Sequence, residues 1–299
     1  MFEFLINPKK AERRPWEMLI IGFVYAVLAV LVCDFLFMNN SVFEKHISIL
    51  IVCFTVFFSI PFIFYLIKFE EKKDTKIKSE KRLLFKEHGK ALLALIFLFL
   101  GYVLAFSLMY VVMPANYTQI NFKIQAETYC QVNNGFDIDG CVKSAFSVLG
   151  NSDKLSGGAI NQAVAFKEGM SRVAMILFNN FYVLVFTLLF SFLFGAGAIF
   201  ILAWNASVIA TAIGIYGNGL IHGIPGGFLR YMVHGIPEIA AYFIVALAGG
   251  IISTAVIRHE FGNEKFIRIL QDALDLIIIG LLVLIVAAFM EVFLTPILI

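Results

Sequence analysis

Charge is scarce in this 299-residue sequence: 15% of the residues are Asp, Glu, Lys or Arg, 61% are apolar, and the mean hydropathy is +0.90. A soluble domain carries roughly a quarter charged residues, so this chain has too little polar surface to coat a water-soluble globule. The net charge is only +2 and no basic stripe is present, which argues against nucleic acid as a partner. Several catalytic signatures are also missing. There is no nucleotide-binding glycine motif, no Gly-x-Ser-x-Gly elbow and no His-Glu-x-x-His pair. No small-x-small cleavage site follows the first apolar run, which ends in Cys33-Asp34-Phe35-Leu36-Phe37, so that run reads as a retained span and not as a signal peptide.

What the sequence has is long apolar runs. A membrane-crossing helix needs about 20 mostly apolar residues, and seven stretches qualify: 18–37, 47–67, 91–113, 176–194, 198–216, 239–257 and 273–293. The fourth and fifth are nearly continuous. One straight helix over 176–220 would be about 67 Å long, twice the hydrocarbon thickness, so a turn is expected at Gly195-Ala196-Gly197. The fold class is therefore all-α, a polytopic transmembrane bundle of about seven spans.

Lys and Arg orient it. Residues 68–90 hold nine Lys/Arg against five acids, and Arg258, Lys265 and Arg268 follow the sixth span. Together with Lys9, Lys10, Arg13 and Arg14 these fall on one side if the amino terminus is cytoplasmic and the carboxyl terminus extracytoplasmic. The organisation expected is a three-span region (1–113), an extracytoplasmic loop region (114–175) and a membrane domain (176–299) in the cell membrane. Within the loop, Cys130 and Cys141 flank Asn133-Asn134-Gly135, a turn signal, at a spacing that allows a disulfide; the alternative is two free thiols. Asn39-Asn40-Ser41 and Asn116-Tyr117-Thr118 match the glycosylation acceptor pattern on the same side. Apolar spacing over 159–175 predicts an amphipathic surface helix. Cys33 and Cys53 read as packed thiols, and Ala248-Gly249-Gly250 as a close helix contact.

Unusual polar residues gather in the carboxyl-terminal half. Six glycines between Gly214 and Gly227 predict a loop or re-entrant segment. His222-Gly223-Ile224-Pro225 is echoed twelve residues on by His234-Gly235-Ile236-Pro237, which runs into Glu238. Pro237 suits the first turn of a helix, where Glu238 would sit in the positive field of the helix start. In the seven-span map, His234, Glu238, Glu291, Asn179 and Asn180 share one depth, with Asp34. Ionisable groups in spans are costly unless paired or solvated, so His234, Glu238 and Glu291 are the candidate acid–base residues. Asn179, Asn180, Asn205 and His222 are candidate ligand or partner contacts. His234 and Glu238 at this spacing could hold zinc if they shared a helix face. The plainer reading is a helix start, with His234 bonded to backbone. Asn205 reads as an interhelical hydrogen bond, and Asp272 and Asp275 as the opening of the seventh span.

From Phe178 to the end, the chain resembles the stage II sporulation protein M family. The resemblance rests on Asn179-Asn180, Gly195-Ala196-Gly197, Trp204-Asn205, Gly214, His234-Gly235-Ile236-Pro237-Glu238, Ala248-Gly249-Gly250, Ala287-Ala288-Phe289-Met290-Glu291 and Pro296. It implies a membrane scaffold without a cofactor, which in spore formers helps assemble and localise peptidoglycan-degrading partners at the septum. The expected partners are the lipid bilayer, membrane or envelope proteins, and a second copy of the chain. Two other readings stand beside it: an intramembrane metal-dependent hydrolase using His234 and Glu238, and a small-solute transporter built on the broken segment near Gly214–Gly227. No inverted repeat accompanies the latter.

Overall fold

A computed structural model describes residues 13–74, 84–133, 138–147, 166–194, 198–217, 220–257 and 264–298. Helix dominates these residues and none is in a strand. The helices are α1 Glu17–Phe37, α2 Ile47–Asp74, α3 Leu84–Val112, α4 Ala115–Asn121, α5 Lys123–Asn133, α6 Ile138–Ser147, α7 Phe166–Phe194, α8 Ala198–Tyr216, α9 Ile224–Ile257, α10 Glu264–Phe289 and α11 Thr295–Leu298. A π-turn, Met290–Leu294, joins α10 to α11. Seven of the helices are long and apolar enough to cross a membrane. The chain is a multi-pass all-α bundle.

These helices are apolar on every side, as spanning helices are. What distinguishes their faces is side-chain size. α1 buries Gly22, Ala26, Ala29 and Val30 and exposes Ile20, Val24, Leu28, Leu31 and Phe35, the face left to lipid. In lipid, helices associate through close packing of small residues, and α1 and α3 do so reciprocally. A Cβ on Gly22 would collide with the Leu98 carbonyl oxygen, and one on Gly101 with the Leu19 carbonyl and the Phe23 nitrogen. Gly249 of α9 lies against Leu188 and Ser191 of α7, where the Ser191 hydroxyl donates to the Ala246 carbonyl.

The alternation of seven helices gathers α4–α6 with the α1–α2 and α8–α9 connections at one end of the bundle, and side-chain contacts join them there. Asn121 reaches Asp34, Gln125 reaches Ser48, Tyr110 of α3 donates to the Ala145 carbonyl of α6 at 3.1 Å, and Tyr231 of α9 meets Tyr129 of α5. Cys130 and Cys141 are disulfide-bonded, with Cα atoms 5.8 Å apart, and link α5 to α6.

Several boundaries differ from expectation. The glycines between Gly214 and Gly227 do not make a re-entrant loop: α8 continues to Tyr216, a 3₁₀ turn covers Ile221–Gly223, and α9 begins at Ile224. Pro237 therefore lies inside α9 and does not begin it. A proline costs an aqueous helix one backbone bond, but within a span neighbouring helices and polar side chains can compensate. α10 starts at Glu264, so Asp272 and Asp275 are exposed two or more turns in and do not open the helix. α7 runs unbroken from Phe166 through residues expected to form a separate surface helix. Cys33 is buried, whereas Cys53 is exposed on α2. The Gly195–Gly197 turn, Lys9, Lys10, Asn134, Gly135 and Arg258 lie outside the described residues.

Gly22→Val and Gly101→Val each place a side chain against backbone and are expected to cost at least about 2 kcal/mol. Gly89→Ala, with no atom within 4 Å, is expected to cost nothing. Detergent-titrated unfolding monitored by circular dichroism compares the three.

Candidate functional site

α9 carries a stripe of polar residues, Arg230, His234, Glu238 and Tyr242, each four residues from the next. Residues four apart stack on one helix face, and an unbroken α9 through Pro237 is what aligns them. Glu238 lies fourteen residues past Ile224, about 21 Å along the axis at the α-helical rise. It is thus a mid-helix carboxylate, far from the positive field of any helix start.

Its partners come from its own helix and a neighbour. Tyr242, itself buried, donates its hydroxyl to Glu238 Oε1 at 2.8 Å. The Asn180 side chain of α7 lies beside the same carboxyl group, and Asn179 in turn donates to Asn180 Oδ1 at 3.3 Å. Glu291, in the π-turn, lies within electrostatic reach of both Glu238 and Tyr242. It has no hydrogen bond among the described residues. π-turns are rare and recur at functional sites.

One turn toward the start of α9, His234 Nδ1 lies 3.1 Å from the Thr295 hydroxyl of α11, which also donates to the Met290 carbonyl. Tyr231 packs edge-on to the His234 ring with centroids 6.5 Å apart, and Arg230 caps the stripe over the Tyr216 ring at 5.3 Å. The site thus joins α7, α9 and the end of α10 through side chains that mostly bond to one another.

Of the residues singled out from sequence, Asn179, Asn180, His234, Glu238 and Glu291 come together. His222 does not: it is exposed in the 3₁₀ turn. Asn205 does not either. Its amide donates to the Ile201 carbonyl of its own helix at 2.8 Å, so it bridges no second helix through that bond. Asp34 belongs to a different junction, against Asn121. Sequence reasoning missed Tyr242, Thr295 and Arg230. The signal was the i+4 spacing from Glu238, Glu291 and His234, hidden by placing a helix start at Pro237.

The continuous helix does put His234 and Glu238 on one face, as zinc ligands would need. Among the described residues, however, no three His, Cys, Asp or Glu side chains are placed to hold a metal ion, and catalytic zinc takes three protein ligands.

The model of one family, Stage II sporulation protein M, matches residues 90–296. The chain belongs to that family. The match reaches back well before Phe178, through α3 and the α4–α6 segment, so the family's territory includes the helix that packs on α1 and the disulfide-linked cap. No curated protein and no solved structure matches the chain. Every residue of the Asn180–Glu238–Tyr242–Glu291 cluster, and the His234–Thr295 pair, falls inside the family match.

Tyr242→Phe removes a donor from the carboxylate and is expected to lower stability by about 1.5–3 kcal/mol. Thr295→Val, which removes a neutral partner from His234, is expected to cost about 1 kcal/mol. Unfolding titrations of the two variants check the order; equal losses would contradict the placement of Glu238, and not His234, at the centre of the cluster.

Proposed function

We propose that this member of the family is a membrane scaffold that assembles a membrane or cell-envelope complex. In this reading it sits in the cell membrane with its amino terminus in the cytoplasm and its carboxyl terminus and α4–α6 outside. The asymmetry of Lys and Arg supports the orientation. One observation carries the functional reading. The polar cluster is largely closed on itself: Tyr242 donates to Glu238 within α9, His234 meets Thr295 in the segment after α10, and Asn180 of α7 lies beside Glu238.

A scaffold requires its partner-facing helices to be held in one arrangement. α7 and α10 present broad apolar faces outward, including Phe178, Tyr182 and Phe186 on the first and Leu274, Ile278 and Leu282 on the second. The cluster fixes those faces relative to each other. Its residues hold a geometry, with Glu238 engaged by Tyr242 and His234 by Thr295.

A second reading, transport of a small cationic solute, is favoured by Glu291, which faces Glu238 without a hydrogen bond of its own. Affinity purification in gentle detergent separates the two. For a scaffold, the wild-type chain brings down membrane or envelope proteins at fixed stoichiometry. Glu238→Gln accumulates normally yet recovers them several-fold less well. For a transporter, no stoichiometric partner appears, and Glu291→Gln abolishes solute uptake into proteoliposomes. Failure of Glu238→Gln to accumulate would reduce Glu238 to a purely structural role.

A further inference from the structure

Apart from the glutamates, at the end of the bundle that carries α4–α6, three enclosed side-chain oxygens have no donor. Asp34 lies in the last turn of α1, Ser48 in the first turn of α2, and Asn121 and Gln125 one turn apart across the α4–α5 junction. The Asn121 Nδ2 group donates to Asp34 Oδ2 at 3.3 Å and also approaches Met113 Sδ at 3.7 Å. Gln125 Nε2 donates to the Ser48 carbonyl at 3.1 Å, while the Ser48 hydroxyl donates to the Ile120 carbonyl at 2.9 Å. These bonds pin both amide nitrogens and bring the three side chains to one junction. Asp34 Oδ1, Asn121 Oδ1 and Gln125 Oε1 are left shielded from solvent and without a hydrogen-bond partner. Asn121 and Gln125 are 0% and 1% exposed.

Buried polar atoms in folded proteins are nearly always partnered, and an orphan costs about 1–3 kcal/mol, more when charged. Here all three orphans are acceptors. One belongs to a carboxylate in a candidate span, and no ion pair among the described residues includes it. A proton on Asp34 would turn one acceptor into a donor and serve one more oxygen, leaving the third unanswered. A water molecule donates twice, so water answers all three only together with a proton that neutralises Asp34. A metal cation can be ligated by all three oxygens and cancels the carboxylate charge.

Carboxylate and carbonyl oxygens are hard ligands that suit hard cations. Calcium takes six to eight oxygens, and a single carboxylate supplies only one negative charge against its two positive charges. We infer that Asp34, Asn121 and Gln125 form a site for one alkali-metal cation, which ties the α4–α6 cap to the ends of α1 and α2.

The probe is radioactive sodium, added to the purified full chain in lipid nanodiscs and measured by scintillation proximity. One saturable site per chain is expected, and binding should weaken at least tenfold in Asp34→Asn and in Gln125→Met. Asp275→Asn, an exposed carboxylate on α10, should bind as wild type. Each variant is first required to elute as a monodisperse peak with wild-type helicity. If Asp34→Asn fails that requirement, sodium-dependent protection of the wild-type α4–α6 segment from proteolysis, compared with choline at equal ionic strength, decides. The inference is overturned by an absence of saturable sodium binding or protection. It is also overturned if a folded Asp34→Asn retains binding, or if binding disappears only in Glu238→Gln, which would place the ion at the glutamates. Displacement by calcium at far lower concentration than by potassium would overturn the assignment to an alkali metal.

Discussion

A carboxyl group inside a membrane helix has to be answered by its surroundings, and Glu238 is answered by Tyr242 one turn further along α9, with Asn180 of α7 beside it. In hydrocarbon there is no water to do so, so the carboxyl group fixes which faces of α7 and α9 must meet. The placement of Glu291 opposite the same group draws in the end of α10, and the His234–Thr295 contact closes the arrangement one turn away. α7 and α10, with their large lipid-facing surfaces, are thereby held to α9 by a few polar side chains.

That arrangement depends on the continuity of α9. A helix beginning at Pro237 would put His234 on irregular backbone and break the stripe from Arg230 to Tyr242. The proline is accommodated within a 34-residue helix, about 51 Å at the standard rise, that packs against α7, α8 and α10. Close approaches at Gly249 against α7 and at Gly280 against Ala241 and Val245 bring the helices near enough for the polar contacts to form. The same division of labour recurs at the other junction: glycines set the α1–α3 distance, and side-chain amides join the α4–α5 cap to the ends of α1 and α2.

The number of spans was legible because each is a long apolar run bounded by charge, and hydrocarbon thickness leaves little freedom in reading such a run. The family was legible from Phe178 onward in short motifs of glycine, asparagine and the His234–Glu238 segment, though the match extends to residue 90. Helix ends were not. Proline carries a soluble-protein meaning as a breaker, and in a bundle the neighbouring helices override it, as at Pro237. The glycines between Gly214 and Gly227 do mark a break, shorter than expected, between Tyr216 and Ile224. The convergence of Asn180, Glu238 and Glu291 was visible as a shared depth, but depth carries no lateral information. Tyr242 and Thr295 became recognisable only once their helices were continuous. The Asp34–Asn121–Gln125 junction joins residues 87 or more positions apart, with no local pattern to announce it.

The tie between α7 and α9 is the claim on which the rest stands, and a double-mutant cycle between Asn180→Leu and Glu238→Gln measures it most directly. Residues in contact couple by about 0.5–3 kcal/mol, where independent sites add within about 0.3–0.5 kcal/mol. A coupling free energy above 1 kcal/mol in lipid-reconstituted protein is the result this account predicts. Strict additivity of the two substitutions would contradict it.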